Sequence, residues 1–251
     1  MRRFLFPLLA VLFFTPISLE SDPGPYKATP ILKFNSKQEE NNYYFRKGRV
    51  LIDGGYQGSA VWGKMTALVS GSPEEVWQLF NDSNKWRNYR FPSLKDARAV
   101  TVGIAEQASQ SVDVENFYRL LGGQSFPSES GRVKGGRWVG YTFQHFNVPW
   151  PVADKWMVVK NTNDETRAAE GIYRTEWTKA AGNVKTMEGY LRLEPFEGNR
   201  NVTHLEYRAL SDPDAHVPRF LLKWGLYRVM PGVVEAIRRQ VHGSAIVLEA
   251  S

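Results

Sequence analysis

Residues 49–53 and 60–70 alternate apolar with polar side chains, which in an extended chain sorts them onto two faces and predicts two strands. Turn-prone Gly54, Gly55 and Gly58 lie between them. The period then changes at Ser72-Pro73-Glu74-Glu75-Val76-Trp77-Gln78-Leu79-Phe80. Ser72 is placed to cap a helix, Pro73 suits its first turn, and Glu75 completes a capping box. Val76, Leu79 and Phe80 then share one helical face, and the helix is expected to end within 81–84. Five further strands are predicted over 97–105, 110–117, 137–146, 156–161 and 171–179. Gly122-Gly123, Gly135-Gly136 and the polar run 161–164 punctuate them. Two longer strands follow at 186–194 and 202–210, joined by a turn around Gly198-Asn199.

The chain closes with a helical pattern over 217–241. Phe220, Trp224, Tyr227, Val234, Ile237 and Val241 recur mostly at three- and four-residue steps, and Pro231-Gly232 predicts a kink midway. Strands, a capped helix, many strands and a long helix together predict an α+β fold. In it a curved antiparallel sheet grips the C-terminal helix and buries its apolar stripe.

The first 21 residues read as a secretory signal peptide: Arg2 and Arg3, an apolar run from Phe4 to Phe14, then Pro16 and polar residues. That run is shorter than the roughly 20 residues a membrane span needs. An uncleaved anchor is the alternative, because no clean cleavage site follows. Residues 22–47 carry Pro23, Pro25 and Pro30 and read as a linker or loosely docked arm, which leaves 48–245 as the domain. An exported, periplasmic or secreted location is therefore expected.

Composition narrows the chemistry. There is no cysteine, which excludes disulfides, thiol nucleophiles and cysteine-ligated metal. The formal charge of +6 falls to +5 without Arg2, Arg3 and Glu20, a mild excess that suits transient contact with an anionic membrane surface. No run of Lys and Arg points to nucleic acid. His145, His204, His216 and His242 are scattered without ligand spacing, so neither metal nor other cofactor is expected. His145 has no carboxylate at an obvious spacing to make it a base, and no nucleophile elbow, phosphate loop or dinucleotide fingerprint is present. With no catalytic constellation, no catalytic residue is assigned.

Three segments carry a resemblance to a known superfamily. The stretch from Ser72 to Phe80, with Trp86 and Tyr89 after it, is similar to the first helix of START-like (helix-grip, SRPBCC) proteins, which include coenzyme-Q-binding and polyketide-cyclase branches. Pro149-Trp150-Pro151-Val152-Ala153-Asp154-Lys155 resembles the Pro-Trp-Pro-x-x-Asp-Arg element of START domains, with Lys155 in place of arginine. Ser211-Asp212-Pro213 through Leu221 resembles their entry into the last helix, with Asp214 and Ala215 where two glycines are usual.

The resemblance implies a tunnel between sheet and terminal helix that holds a lipid, sterol, quinone or polyketide. It makes a binding or transfer protein the leading reading. A cyclase or lyase acting on an aromatic or polyketide-like substrate is the alternative. The chain is 13% aromatic with eight tryptophans, enough to line such a space. Strand parity groups Tyr141 with Phe143, Tyr173 with Thr175 and Trp177, and Leu205 with Tyr207. With Trp86, Trp156, Tyr190, Phe220 and Trp224, these aromatics are the candidate ligand-contacting residues. Arg174 with Glu176, or Glu206 with Arg208, supplies either a buried charged pair or a solvated sheet face. Trp150-Pro151 and the loop at Phe126-Pro127 are candidates for the cavity mouth.

Overall fold

The computed structural model describes residues 34–111, 113–124, 126–147, 154–213 and 219–242. The segments expected to be a signal peptide and its proline-rich exit, residues 148–153 with Trp150, and residues 214–218 with His216 lie outside that set. Among the described residues, eight strands form one antiparallel sheet: β1 (Leu51–Gln57), β2 (Ala60–Ser70), β3 (Leu94–Val100), β4 (Arg137–Phe146), β5 (Lys155–Asp164), β6 (Tyr173–Gly182), β7 (Thr186–Phe196) and β8 (Asn199–Asp212). Their order across the sheet is β1-β2-β8-β7-β6-β5-β4-β3. Chain order is kept except where β2 and β8 meet. There the first hairpin closes on the last strand.

Helix α2 (Pro73–Asn81) begins as its sequence requires. The Ser72 hydroxyl accepts from the Glu75 amide at 3.2 Å, and the Glu75 carboxylate accepts from the Ser72 amide at 2.7 Å. The long C-terminal helix α5 (Arg219–His242) runs through Pro231 and lies over β1 and β2 on the concave side. Its Met230, Val234 and Ile237 are buried against Met65, Ala67 and Val69 of β2 and Trp77 of α2. Full burial of each such aliphatic side chain stabilises by about 1.5–3 kcal/mol.

Three expectations change. Residues 37–46, read as part of a linker or loosely docked arm without regular structure, form helix α1 (Lys37–Arg46), capped by Ser36 and anchored by Phe45 against Leu68 and Val202. Residues 101–105 are not strand: Thr101 accepts from the Ile104 amide at 3.3 Å and starts α3 (Val102–Ala108). Residues 110–111 and 113–117 are not strand either. Asp113 caps α4 (Val114–Leu121) and left-handed Gly122 ends it. In both places a local side-chain cap outweighs the apolar alternation that suggested strand. Helices α3 and α4 then cover the convex face of the sheet, where Phe117 and Leu121 pack on Phe143, Trp156 and Val158.

The sheet thus has apolar cover on both faces: α2 and α5 inside, α3 and α4 outside. Gly63 and Gly189, in one row across the concave face, let it close. A Cβ on Gly63 would stand 2.5 Å from Leu226 of α5, and one on Gly189 would stand 2.5 Å from the Trp177 indole.

Candidate functional site

Between the concave face, α2 and α5 lies a cavity of about 250 Å³. Helix α2 and the 3₁₀ segment after it, Ser83–Tyr89, contribute Phe80, Asn81 and Trp86. Phe91, Pro92 and Leu94 continue the wall into β3, and Val229 and Val233 of α5 close it. The sheet supplies the floor. Alternation along β4 aims Trp138, Thr142, Gln144 and Phe146 inward, and neighbouring strands add Asn161, Asn163, Thr175, Trp177, Met187 and Tyr207.

The floor is graded. Strand register sets Trp138, Asn163 and Thr175 side by side across β4, β5 and β6, and the same row continues through Leu191 to Tyr207. In the next row Asn161 stands between Gly140 and Trp177, and its Nδ2 donates to Thr142 Oγ1 at 3.0 Å. This end presents amides, hydroxyls and an indole, while Leu94, Phe146 and Met187 lie toward the other. No Asp, Glu, Lys, Arg or His belongs to the described lining. Burial alone pushes the Tyr207 hydroxyl up to about 12, with no charged group contributing.

Three buried polar atoms of the lining have no hydrogen-bond partner among the described residues: Asn81 Nδ2, Trp138 Nε1 and Thr175 Oγ1. Each such group costs about 1–3 kcal/mol when left unpaired.

Of the residues singled out from the sequence, Trp86, Tyr141, Thr175, Trp177 and Tyr207 line the cavity. Tyr173 shares the concave face but packs on Trp77, ring centroids 5.4 Å apart, in the solid core beneath α2. Phe143 and Trp156 face outward and close on Phe117 at centroid distances of 4.6 and 5.3 Å under α4. Tyr190 is also on the outer face, donating to Glu206 Oε1 at 2.7 Å. Phe220 and Trp224 are exposed, 67% and 58% respectively. Arg174 and Glu176 pair with each other on the solvated side, and Lys64 reaches Glu206 at 2.6 Å there. The charged pairs therefore lie outside the cavity.

Aromatic content drew attention to Tyr141 and Phe143. The opposite parity of the same strand holds more of the floor: Trp138, Thr142, Gln144 and Phe146. The signal that marks the site is Asn161 and Asn163, two amides at two-residue spacing in a strand otherwise rich in valine, where asparagine is depleted. His145 also gains a partner that spacing did not reveal. Its Nε2 lies 3.1 Å from Asp154 Oδ2 and its Nδ1 3.0 Å from the Tyr118 hydroxyl. Burial and the Asp96 carboxylate push that hydroxyl upward. The chain Tyr118–His145–Asp154 ties α4, β4 and the head of β5 together on the convex side, away from the cavity.

No family model matches the sequence, and no curated protein matches it. Solved structures do match. The STAR-related lipid transfer protein of Xanthomonas axonopodis aligns at 12% identity over 76% of this chain and 93% of that one, with a TM-score of 0.54. Human STARD10 aligns at 9% identity over 83% of this chain and 82% of that one, with a TM-score of 0.46. The Zhui aromatase/cyclase of a Streptomyces species aligns at 12% identity over 79% of this chain and all of that one, also with a TM-score of 0.46. The first superposition spans most of both chains, and with the cavity held between a curved antiparallel sheet and a C-terminal helix it identifies the START-like helix-grip fold.

Proposed function

We propose that this protein binds a hydrophobic small molecule in the cavity beneath α5 and carries it to or from a membrane surface outside the cytoplasm. The observation that carries the reading is the cavity itself: largely apolar, charge-free in its described lining, and closed by a helix rather than by sheet. The structural neighbour described as a lipid transfer protein supports the same use of the same space. The signal-like first 21 residues support export. No helix among the described residues is long and apolar enough to cross a membrane.

Membrane contact is supported by the first half of α5. Phe220, Trp224 and Tyr227 are exposed beside exposed Tyr56. The Lys223 ammonium lies 5.7 Å from the Tyr227 ring, and the Arg228 guanidinium 5.3 Å over Trp224. Aromatic rings flanked by cations suit the interface of an anionic bilayer. The test is native mass spectrometry of protein purified from its own envelope fraction, followed by transfer of extracted lipid between donor and acceptor vesicles. A co-purifying hydrophobic molecule that the protein moves between vesicles is the expected result. Protein that is empty and catalyses no transfer would overturn the reading.

A further inference from the structure

The chemistry of the cavity says more about its occupant than that it is apolar. Given the binding reading above, three unpartnered polar atoms define what the occupant must offer. Trp138 and Thr175 are 6% and 8% exposed, and each borders Asn163 in one row of the floor. Asn81 stands one turn beyond Trp77 on α2. The Trp77 indole donates to Glu165 at 2.8 Å and packs on Tyr173, and these two residues lie two positions from Asn163 and Thr175 respectively. All three unpaired groups therefore belong to one end of the cavity. Two of them, the Asn81 amide N–H and the Trp138 indole N–H, only donate, and the Thr175 hydroxyl donates or accepts. What satisfies them is an acceptor.

That acceptor is not an anion. A carboxylate or phosphate here would be stripped of water with no cation in the described lining to meet it. Half-buried Arg132, beside this end, is held by Glu165 at 2.9 Å. The opposite end, around Leu94, Phe146, Val229 and Val233, is mostly apolar, with the half-buried Gln144 amide beside Phe146. At about 250 Å³ the space is smaller than the roughly 300–1,000 Å³ usual for drug-sized ligands. We infer that the cavity selects a compact, uncharged, largely apolar molecule with one hydrogen-bond-accepting oxygen, a ketone, ester or ether by class, oriented with that oxygen toward Asn81, Trp138 and Thr175.

Three naphthalene probes of equal girth test this: a 2-acylnaphthalene ketone, its hydrocarbon parent without the acyl group, and the corresponding naphthoate. The ketone should bind tightest, with the emission shift of a hydrogen-bonded carbonyl, and the naphthoate at least tenfold more weakly. Asn81→Leu and Thr175→Val nearly keep shape but remove the polar atom. Each should weaken the ketone by about three- to tenfold, the worth of one hydrogen bond, and leave the hydrocarbon unchanged. Each should also raise the thermal midpoint of the ligand-free protein, because an unpaired buried group is removed. If ordered water already satisfies the three atoms, the variants will not change ketone affinity, and the inference fails. It fails too if the naphthoate binds as well as the ketone. Binding of the hydrocarbon without this discrimination sinks the acceptor inference alone, whereas failure of all three probes, with the native protein empty, sinks the binding reading beneath it.

Discussion

Glu165 shows what a single buried charge does in this protein. It is 1% exposed, accepts from the Trp77 indole at 2.8 Å and the Gly135 amide at 3.3 Å, and pairs with Arg132. Burial raises its carboxyl pKa, but the Trp77, Arg132 and Gly135 donors outweigh that and hold it below the ordinary 4.5. A carboxyl depressed on folding contributes stability that is present above the unfolded value and lost as pH falls through the folded one. Urea titrations from neutral pH down through 4.5 should therefore show stability declining in acid, and Glu165→Gln should remove that part of the decline. At neutral pH the same change should destabilise by about 3 kcal/mol, the low end for a broken buried pair, since Arg132 keeps Glu129. Gly189 is a steric case. A Cβ there would meet the Arg208 carbonyl at 2.2 Å, and backbone cannot yield as a side chain does. Gly189→Ala should destabilise by about 1–3 kcal/mol or more and drive the Trp177 ring into the cavity, lowering probe affinity as well as the melting temperature.

At the scale of elements, α5 carries two faces that its sequence blends into one stripe. At ~100° per residue, the buried arc centres on Leu226, Met230, Val233 and Ile237, while Phe220, Trp224 and Tyr227 lie around its flank. Beside β2 the flank is covered, so that Arg238, 8% exposed, donates to the Leu68 carbonyl at 2.8 Å. Toward the N-terminal half it is open. The two halves should therefore respond differently to mutation. A Phe220→Ser/Trp224→Ser double variant should change stability by within ~0.5 kcal/mol yet lose most binding to anionic vesicles in a sedimentation assay, and salt should weaken the wild-type interaction. Val234→Ala, inside the core, should instead destabilise by about 1–3 kcal/mol and leave vesicle binding intact. The same ambiguity explains α3 and α4. Residues 110–117 alternate well enough for a strand, and only the Asp113 cap, with Phe117 and Leu121 four apart, shows the helix.

For the molecule as a whole, the binding proposed above raises the question of how a ligand passes α5 into the cavity. Pro92 and the Val229–Val233 turn of α5 form facing walls. A Cβ built on Gly232 would lie 3.8 Å from the Pro92 Cβ, the mean separation across a disulfide. The chain has no cysteine of its own, so a Pro92→Cys/Gly232→Cys pair forms a single unambiguous staple. If α5 swings from the sheet to admit ligand, the oxidised protein should bind and release the naphthyl ketone at least tenfold more slowly than the reduced one, with recovery on adding reductant. Equal exchange rates in both states would place the entrance elsewhere.

Much of this architecture was legible in the chain, because period-two alternation and local capping are short-range properties. The bounds of β2 and β4, the capping box of α2, the β7–β8 hairpin and the long last helix follow from residues within a few positions of one another. Which face of each strand looks at the cavity is not local. Around β4 and β5 both faces of the sheet are covered, so apolarity marks each of them, and the inward Trp138–Phe146 set could not be told from outward Phe143 and Trp156. The same holds for partners. His145 and Asp154, Glu165 and Trp77, and the row Trp138–Asn163–Thr175 meet only when strands pair. The sequence by itself determined the elements and the kind of fold they build. The tertiary structure alone decided where that fold leaves a cavity, and which polar groups it leaves there without partners.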